Sequence, residues 1–372
     1  MTVTIKDIAR RAGVSSATVS RVLSEKPHVN DELRKRILAI MEELHYNPNR
    51  VARSLRVQRA SIVGIIVSDI QNPFFTSLVR AVEDVANAHQ YAIFLCNTDE
   101  NVEKEKLYID LMQAENVAGV IISPTREQDD PCLELLKTNI PLVVVDRRLA
   151  GAEVDTVLVD NVQGAFRLVD HLINDGHTRI GAILGVPTAT TGRERYEGYL
   201  QALEAHHLPF QPELVRTDIP QEANGSRLAQ ELLDLPHPPT AFFIGNNLLT
   251  VGVLRAIHER NLRIPDDIAL GAFDDLSWMS SVTPGLTVVA QPAYALGQTA
   301  AQLLLQRIAD RTRPTQEVLL QTTTYIRQSC GFHLEGTPLS RGQSDEVFIS
   351  KWITPLFSYH WEKLLPAPKE PI

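Results

Sequence analysis

Thr4-Ile5-Lys6-Asp7-Ile8-Ala9-Arg10-Arg11-Ala12-Gly13-Val14-Ser15-Ser16-Ala17-Thr18-Val19-Ser20-Arg21-Val22-Leu23 reads as two short helices joined by a tight turn. Thr4 can cap the first, with Asp7 three positions on in a capping-box arrangement. Ile5, Ile8, Ala9 and Ala12 follow helical spacing, and Gly13 stands where a helix can end left-handed at little cost. Ser15 or Ser16 can cap a second helix running to Leu23, with Val19, Val22 and Leu23 on its apolar side. Such a pair is a helix-turn-helix. The second helix offers Ser15, Ser16, Thr18, Ser20 and Arg21 on its polar side and no carboxylate. It can enter a major groove without repelling phosphates, and Arg21 is long enough to reach a base or a phosphate. Further on, Pro27 punctuates a loop, Asn30 caps a third helix, and Leu33, Ile37, Ile40, Met41 and Leu44 form its buried stripe.

The charge distribution agrees. Residues 1–60 hold 12 Lys and Arg against 6 Asp and Glu, net +6, while the rest of the 372-residue chain holds 24 against 39, net −15. A basic head on an acidic body suits a nucleic-acid-binding module fused to a non-binding domain. With 44% hydrophobic and 22% charged residues, the chain has the make-up of a folded protein, and its length suggests two or three domains of roughly 150 residues. No apolar run nears the roughly 18 residues of a membrane span. The N-terminus has no apolar core behind its charges, so no secretory signal is expected. Cys96, Cys132 and Cys330 are too few and scattered for a disulfide framework or a metal cluster, and a cytoplasmic, nucleoid-associated protein without metal or cofactor is expected.

Past the third helix, Tyr46-Asn47-Pro48-Asn49-Arg50-Val51-Ala52-Arg53-Ser54-Leu55-Arg56 starts again from a capping Asn49. Arg50, Arg53 and Arg56 share one side of a segment too short to be helical alone. A phosphate backbone could organise it, and Leu55 among those arginines has the pattern of a minor-groove wedge.

These residues, Thr4 through Leu23 and then Tyr46, Pro48, Asn49, Ala52, Arg53, Ser54 and Leu55, closely resemble the head of lactose-repressor-type (LacI/GalR) bacterial transcription regulators. The resemblance implies that Ser16, Ala17 and Arg21 occupy base-reading positions. It also implies that Leu55 of each subunit in a dimer pries open the centre of a palindromic operator.

From Ser61 onward, β-branched runs alternate with amphipathic helices. Strands are expected at Ile62–Val67, Tyr91–Asn97, Gly119–Ser123, Leu142–Asp146, Thr156–Val159, Arg179–Leu184, Ala241–Gly245, Ile268–Phe273 and Leu286–Ala290. Helices are expected at Pro73–His89, Val102–Glu115, Val162–Asp175, Arg193–His206, Glu222–Leu233 and Leu248–Arg260. The alternation means an α/β fold with parallel sheets covered on both faces, and the length favours two lobes. Ligand-binding residues then belong at the carboxyl ends of strands, facing the crevice between the lobes. Those ends supply Asn72, Phe74 and Phe75, Asp146-Arg147, Arg193-Glu194-Arg195, Asn246-Asn247, Asp274-Asp275 and Gln291. Carboxylates, amides and guanidinium groups beside an aromatic wall are what a sugar requires, since each hydroxyl donates to one group and accepts from another.

This body resembles ribose-type periplasmic sugar-binding proteins over roughly residues 61–333. By that resemblance Phe74 and Phe75 sandwich a sugar, and Asn72, Asp146, Arg147, Arg193, Asn246, Asp274 and Gln291 hold its hydroxyls. Two positions depart from the pattern. The usual Asn-Asp pair is Asn246-Asn247 here, and the C-lobe aromatic falls near Ile219 or Pro220.

The domain plan is therefore a helix-turn-helix at 1–47, a hinge at 48–60, an effector-binding and dimerising body at 61–333 and an extension of unassigned role at 334–372. The expected function is that of a repressor, a homodimer or a tetramer, binding double-stranded operator DNA under control of a sugar-like effector. A sugar receptor would share the body but have no use for the basic head. An enzyme would need a catalytic constellation, and no nucleotide loop, nucleophile elbow or metal-ligand histidine spacing occurs; His206-His207 reads as a solvated helix end. A global catabolite regulator acting with a phosphorylated carrier protein would carry Tyr-Asp and a later Arg after the Gln-Pro element. Here Tyr294 precedes Ala295, and Gln302 stands at the later position.

Overall fold

A computed structural model describes residues 4–23, 30–44, 62–128 and 130–331. In the head, α1 (Ile5–Ala12), α2 (Ser16–Leu23) and α3 (Asp31–Glu43) bury Ile8, Ala9, Ala12, Val19, Val22, Ile37 and Met41 against one another. The Thr4 amide and hydroxyl both donate to Asp7 Oδ2, at 3.0 and 2.6 Å, and hold that carboxyl below its usual range. Gly13 closes α1 at φ 66°, in the left-handed region. Ser15 Oγ accepts from the Thr18 amide at 3.1 Å, and Asn30 Oδ1 from that of Glu32 at 2.9 Å. Ser15 and Asn30 cap as expected, Thr4 joins Asp7 in the capping-box pair, and Asn49 lies outside the described residues.

The body holds two six-stranded sheets. The N-lobe sheet is built from β1 (Ile62–Val67), β2 (Ala92–Asn97), β3 (Val120–Ile122), β4 (Leu142–Val145), β5 (Asp155–Val159) and β11 (Glu317–Leu320), all parallel, in the order β11-β5-β4-β3-β1-β2. The C-lobe sheet is built from β6 (Ile180–Leu184), β7 (Val215–Thr217), β8 (Ala241–Ile244), β9 (Ala269–Phe273), β10 (Thr287–Ala290) and β12 (Thr323–Tyr325), in the order β12-β10-β9-β8-β6-β7. Only β12 departs from the expected parallel pairing: it runs antiparallel to β10. β7, β11 and β12 were not expected from the sequence. They are short edge strands with half-exposed side chains, so they lack the continuous apolar run that marks a buried strand.

α4 (Pro73–Ala88) and α11 (Ala293–Ala309) cover one face of the N-lobe sheet, with α5 (Val102–Ala114) and α6 (Asp130–Leu136) on the other. α7 (Asn161–Asn174) and α8 (Thr190–Ala205) cover one face of the C-lobe sheet, with α9 (Glu222–Leu233) and α10 (Asn247–Glu259) on the other. α9 and α10 pack so closely that a Cβ on Gly252 would lie 2.0 Å from the Glu222 carbonyl oxygen. The chain crosses between lobes three times, after β5, β10 and β11. A cleft between carboxyl strand ends follows from this arrangement.

Candidate functional site

The inter-lobe pocket spans about 760 Å³ counted to its open mouth. Its floor is made by two aspartates in the same unusual conformation. Asp146 after β4 has φ 69°, and Asp274 after β9 has φ 72°. Each amide donates to the neighbouring strand, Asp146 to Val157 O and Asp274 to Val289 O, both at 2.9 Å. Non-glycine residues held left-handed cost about 1 kcal/mol or more and gather at functional sites.

Two asparagines flank this floor. Asn72 Oδ1 caps α4 through the Phe74 amide at 2.9 Å, and Asn246 Oδ1 caps α10 through that of Leu249 at 2.9 Å. The caps leave each Nδ2 as the group available to a ligand. Phe74 and Phe75, ring centroids 5.0 Å apart and edge-to-face, form the N-lobe wall; Ile219 and Pro220 face them from the C-lobe. The C-lobe wall is thus aliphatic, at the departure from the ribose-type pattern that the sequence marks.

Arg147 forks onto Glu100, with NH1–Oε2 at 2.8 Å and NH2–Oε1 at 2.5 Å. Gln291 Nε2 donates to Asp274 Oδ1 at 2.6 Å. After those bonds, the buried atoms Arg147 Nε, Gln291 Oε1 and Asn247 Oδ1 have no hydrogen-bond partner among the described residues.

One expected residue lies elsewhere. Arg193 turns to Glu127 at 2.6 Å and does not line the pocket; Arg195 does. The reason is helical phase. α8 begins at Thr190, three residues before the expected start, and Arg195 shares a buried face with Gly192, Gly198 and Tyr199. Its guanidinium lies 4.1 Å over the Phe273 ring and bonds Asn161 Oδ1 at 3.0 Å and Gly245 O at 2.5 Å. The other expected residues, Asn72, Phe74, Phe75, Asp146, Arg147, Asn246, Asp274 and Gln291, all line the one pocket.

In the head, Ala17 and Arg21 are exposed, and Ser16 and Ser20 half-buried, on the side of α2 opposite Val19 and Val22. Thr4, Ser15 and Thr18 sit at helix starts and bond locally, with Ser15 Oγ 2.9 Å from Thr18 Oγ1. Asn49, Arg50, Ala52, Arg53, Leu55 and Arg56 lie outside the described residues.

Residues 4–49 match the family model for bacterial regulatory proteins of the lacI family, and residues 169–330 match that for a periplasmic binding protein-like domain. A curated relative, the HTH-type transcriptional repressor PurR of Erwinia tasmaniensis, is 36% identical over 88% of this chain and 96% of its own length. The chain belongs to the LacI family of bacterial regulatory proteins. Among solved structures, the lac repressor dimer bound to operator and an anti-inducer is 27% identical, with a TM-score of 0.79 over 89% of this chain and 99% of that one. A putative ribose operon repressor from Burkholderia thailandensis is 34% identical, with a TM-score of 0.67 over 72% of this chain and 99% of that one. The protein is thus a transcriptional repressor of the LacI family with an effector-binding body.

The electrostatics of this LacI-family pocket are set by burial. Desolvation pushes the Asp146 carboxyl up to about 6, with Arg147 and Arg195 pulling it back down. Desolvation also lowers the Arg195 guanidinium, against the pull of Asp274 and Asp146. Asp69, Asp99, Glu100, Asp146 and Asp274 line the pocket against Arg147 and Arg195, an excess of three carboxylates. Sequence reasoning missed Asp99 and Glu100. They follow the carboxyl end of β2, and the strand-end rule, applied there as at the other strands, would have found them. Among the described residues no helix is long and apolar enough to cross a membrane.

Proposed function

We propose that this repressor binds a palindromic operator as a homodimer and responds to a neutral monosaccharide held between its lobes. The carrying observation is the pocket's unmatched hydrogen-bonding capacity beside an aromatic wall: Arg147 Nε and Gln291 Oε1 next to Phe74 and Phe75. Hydroxyls that both donate and accept satisfy such a set, and C–H faces pack on the rings. The carboxylate excess disfavours sugar acids and phosphates. The likeness to a putative ribose operon repressor points the same way.

On the DNA side, Ser16, Ala17 and Arg21 read bases, while Thr4, Ser15, Thr18 and Ser20 contact the backbone. One such helix reads only a half-site, so a palindrome needs a two-fold protein, as the lac repressor dimer on its operator supports. The hinge, with Asn49, Arg50, Ala52, Arg53 and Arg56 on phosphates and Leu55 as wedge, enters this reading through sequence alone. Effector binding favours one lobe arrangement and thereby changes the spacing of the paired hinges. The protein carries out no reaction in this reading and works in the cytoplasm on the nucleoid.

A thermal-shift panel of pentoses, hexoses, sugar acids, sugar phosphates and nucleobases tests the effector class. Stabilisation by neutral sugars alone is the expected result; stabilisation only by nucleobases or phosphorylated compounds overturns it. For the head, Arg21→Ala should cost ~1–3 kcal/mol on operator and far less on random DNA. Equal losses on both would reduce Arg21 to a phosphate contact.

A further inference from the structure

On the C-lobe, away from the pocket lining, three metal-competent side chains converge. His171 and Asp175 lie one turn apart at the C-terminal end of α7, and Cys330 sits in the 3-10 turn Gln328–Cys330 that follows β12. His171 Nε2 is 3.2 Å from Cys330 Sγ and 3.2 Å from Asp175 Oδ2, and all three donor atoms fall within 4.8 Å of one another. We propose that His171, Asp175 and Cys330 form a binding site for a divalent cation of the zinc class.

The geometry fits that class. With metal–nitrogen, –sulfur and –oxygen bonds of about 2.0–2.3 Å, a tetrahedral site has donor–donor edges of about 3.3–3.6 Å. The two edges at His171, 3.2 Å each, need to widen by a few tenths of an ångström, and the Asp175–Cys330 edge, within 4.8 Å, closes by side-chain rotation of Asp175. A mixed nitrogen, sulfur and oxygen set is the zinc-type combination, whereas magnesium and calcium prefer oxygen alone. Cys330 is fully buried, while the His171 and Asp175 side chains keep 19% and 16% exposure, enough for an ion to enter and for water to fill a fourth position. Asp175 Oδ2 is buried and accepts no hydrogen bond among the described residues. Cys330 Sγ lies 3.2 Å from Arg327 O, to which its thiol donates; binding releases that proton and leaves a thiolate ligand. An ion here would clip the end of α7 to the end of the C-lobe sheet. The spacing escaped sequence reading because Cys330 is 159 residues from His171. Nearby, His206 at the C-terminal end of α8 pairs with Asp170 Oδ1 at 2.7 Å, its side chain still 27% exposed.

The test uses the full chain, stripped of metal by chelator and titrated with cobalt(II). The expected result is one equivalent bound, with tetrahedral visible bands and a near-ultraviolet thiolate-to-cobalt charge-transfer band, both displaced by zinc. Cys330→Ser should abolish the charge-transfer band. Asp175→Asn, which preserves side-chain shape, should weaken affinity by at least the roughly 10–100-fold that loss of an outer-shell partner costs. No charge-transfer band in the wild-type chain, or an undiminished band in Cys330→Ser arising from Cys96 or Cys132, overturns the proposal.

Discussion

The two lobes repeat one backbone device and put it to different use. Asp146 and Asp274 share a left-handed φ and the same amide bond to the next strand. Their side chains then part company. Asp274 is held by Gln291 Nε2 at 2.6 Å and by the Asn247 amide at 3.2 Å. Among the described residues Asp146 has only Ser123 Oγ at 3.4 Å and Arg147 Nε at 3.7 Å, because Glu100 has taken the outer nitrogens of Arg147. One carboxylate is spent on shaping the pocket. The other is buried with weaker partners, and that burial pushes its pKa up. A repeated fold therefore does not give repeated chemistry; the partners that later segments bring to each aspartate decide it.

The contrast predicts unequal losses. Asp146→Ala should remove two charge-assisted hydrogen bonds to the sugar, at ~1.5–3 kcal/mol each, and weaken binding on the order of 100-fold or more. Asp274→Ala should remove about one, for a roughly 10–100-fold loss. Isothermal titration with the best sugar from the thermal-shift panel measures both. Equal losses would break the distinction between the lobes.

The pH dependence sharpens it. A sugar that donates to Asp146 prefers the carboxylate, so affinity should rise with pH through about 6 and fall about tenfold between pH 7.5 and 5. Stability of the ligand-free protein should move oppositely. A carboxyl whose folded pKa is raised is easier to bury protonated, so acidification from above 6 towards the unfolded value near 4 stabilises it. Asp146→Asn should flatten the affinity profile, whereas Asp274→Ala should leave it. A profile unchanged in Asp146→Asn would assign the titration elsewhere.

What was legible in the sequence follows the same division. The head was readable because Thr4, Gly13, Ser15 and Asn30 act on neighbours within four residues, and its core repeats at helical spacing. The pocket was readable as far as the rule of carboxyl strand ends reaches. Arg193 was preferred to Arg195 because that choice needs the phase of α8, and its start at Thr190 carries no side-chain cap. Glu100 and Asn247 stand where the strand-end rule reaches, but their pairings with Arg147 and Asn72, 47 and 175 residues away, are encoded by no local pattern.

Asn247 gives the smallest effect and the finest test. Its Nδ2 donates to Asn72 Oδ1 at 2.8 Å, a buried hydrogen bond from the C-lobe to the N-lobe. Asn247→Asp, which installs the Asn-Asp pair that the ribose-type resemblance led one to expect, would set a carboxylate oxygen against the Asn72 carbonyl. Asn72 cannot turn its amide to compensate without giving up the cap on the Phe74 amide, itself worth ~1 kcal/mol. The new charge would also lie beside Asp274, which already accepts from the residue 247 amide. Only the arrangement with the lobes together contains the bond to Asn72, so its loss penalises that arrangement alone, by the ~0.5–1.5 kcal/mol of one hydrogen bond. Sugar affinity should then fall about 2–10-fold, and small-angle scattering of the ligand-free protein should shift toward a larger radius of gyration. Tighter sugar binding in Asn247→Asp would mean that this bond holds the lobes in a non-binding arrangement, and would reverse the role assigned to it.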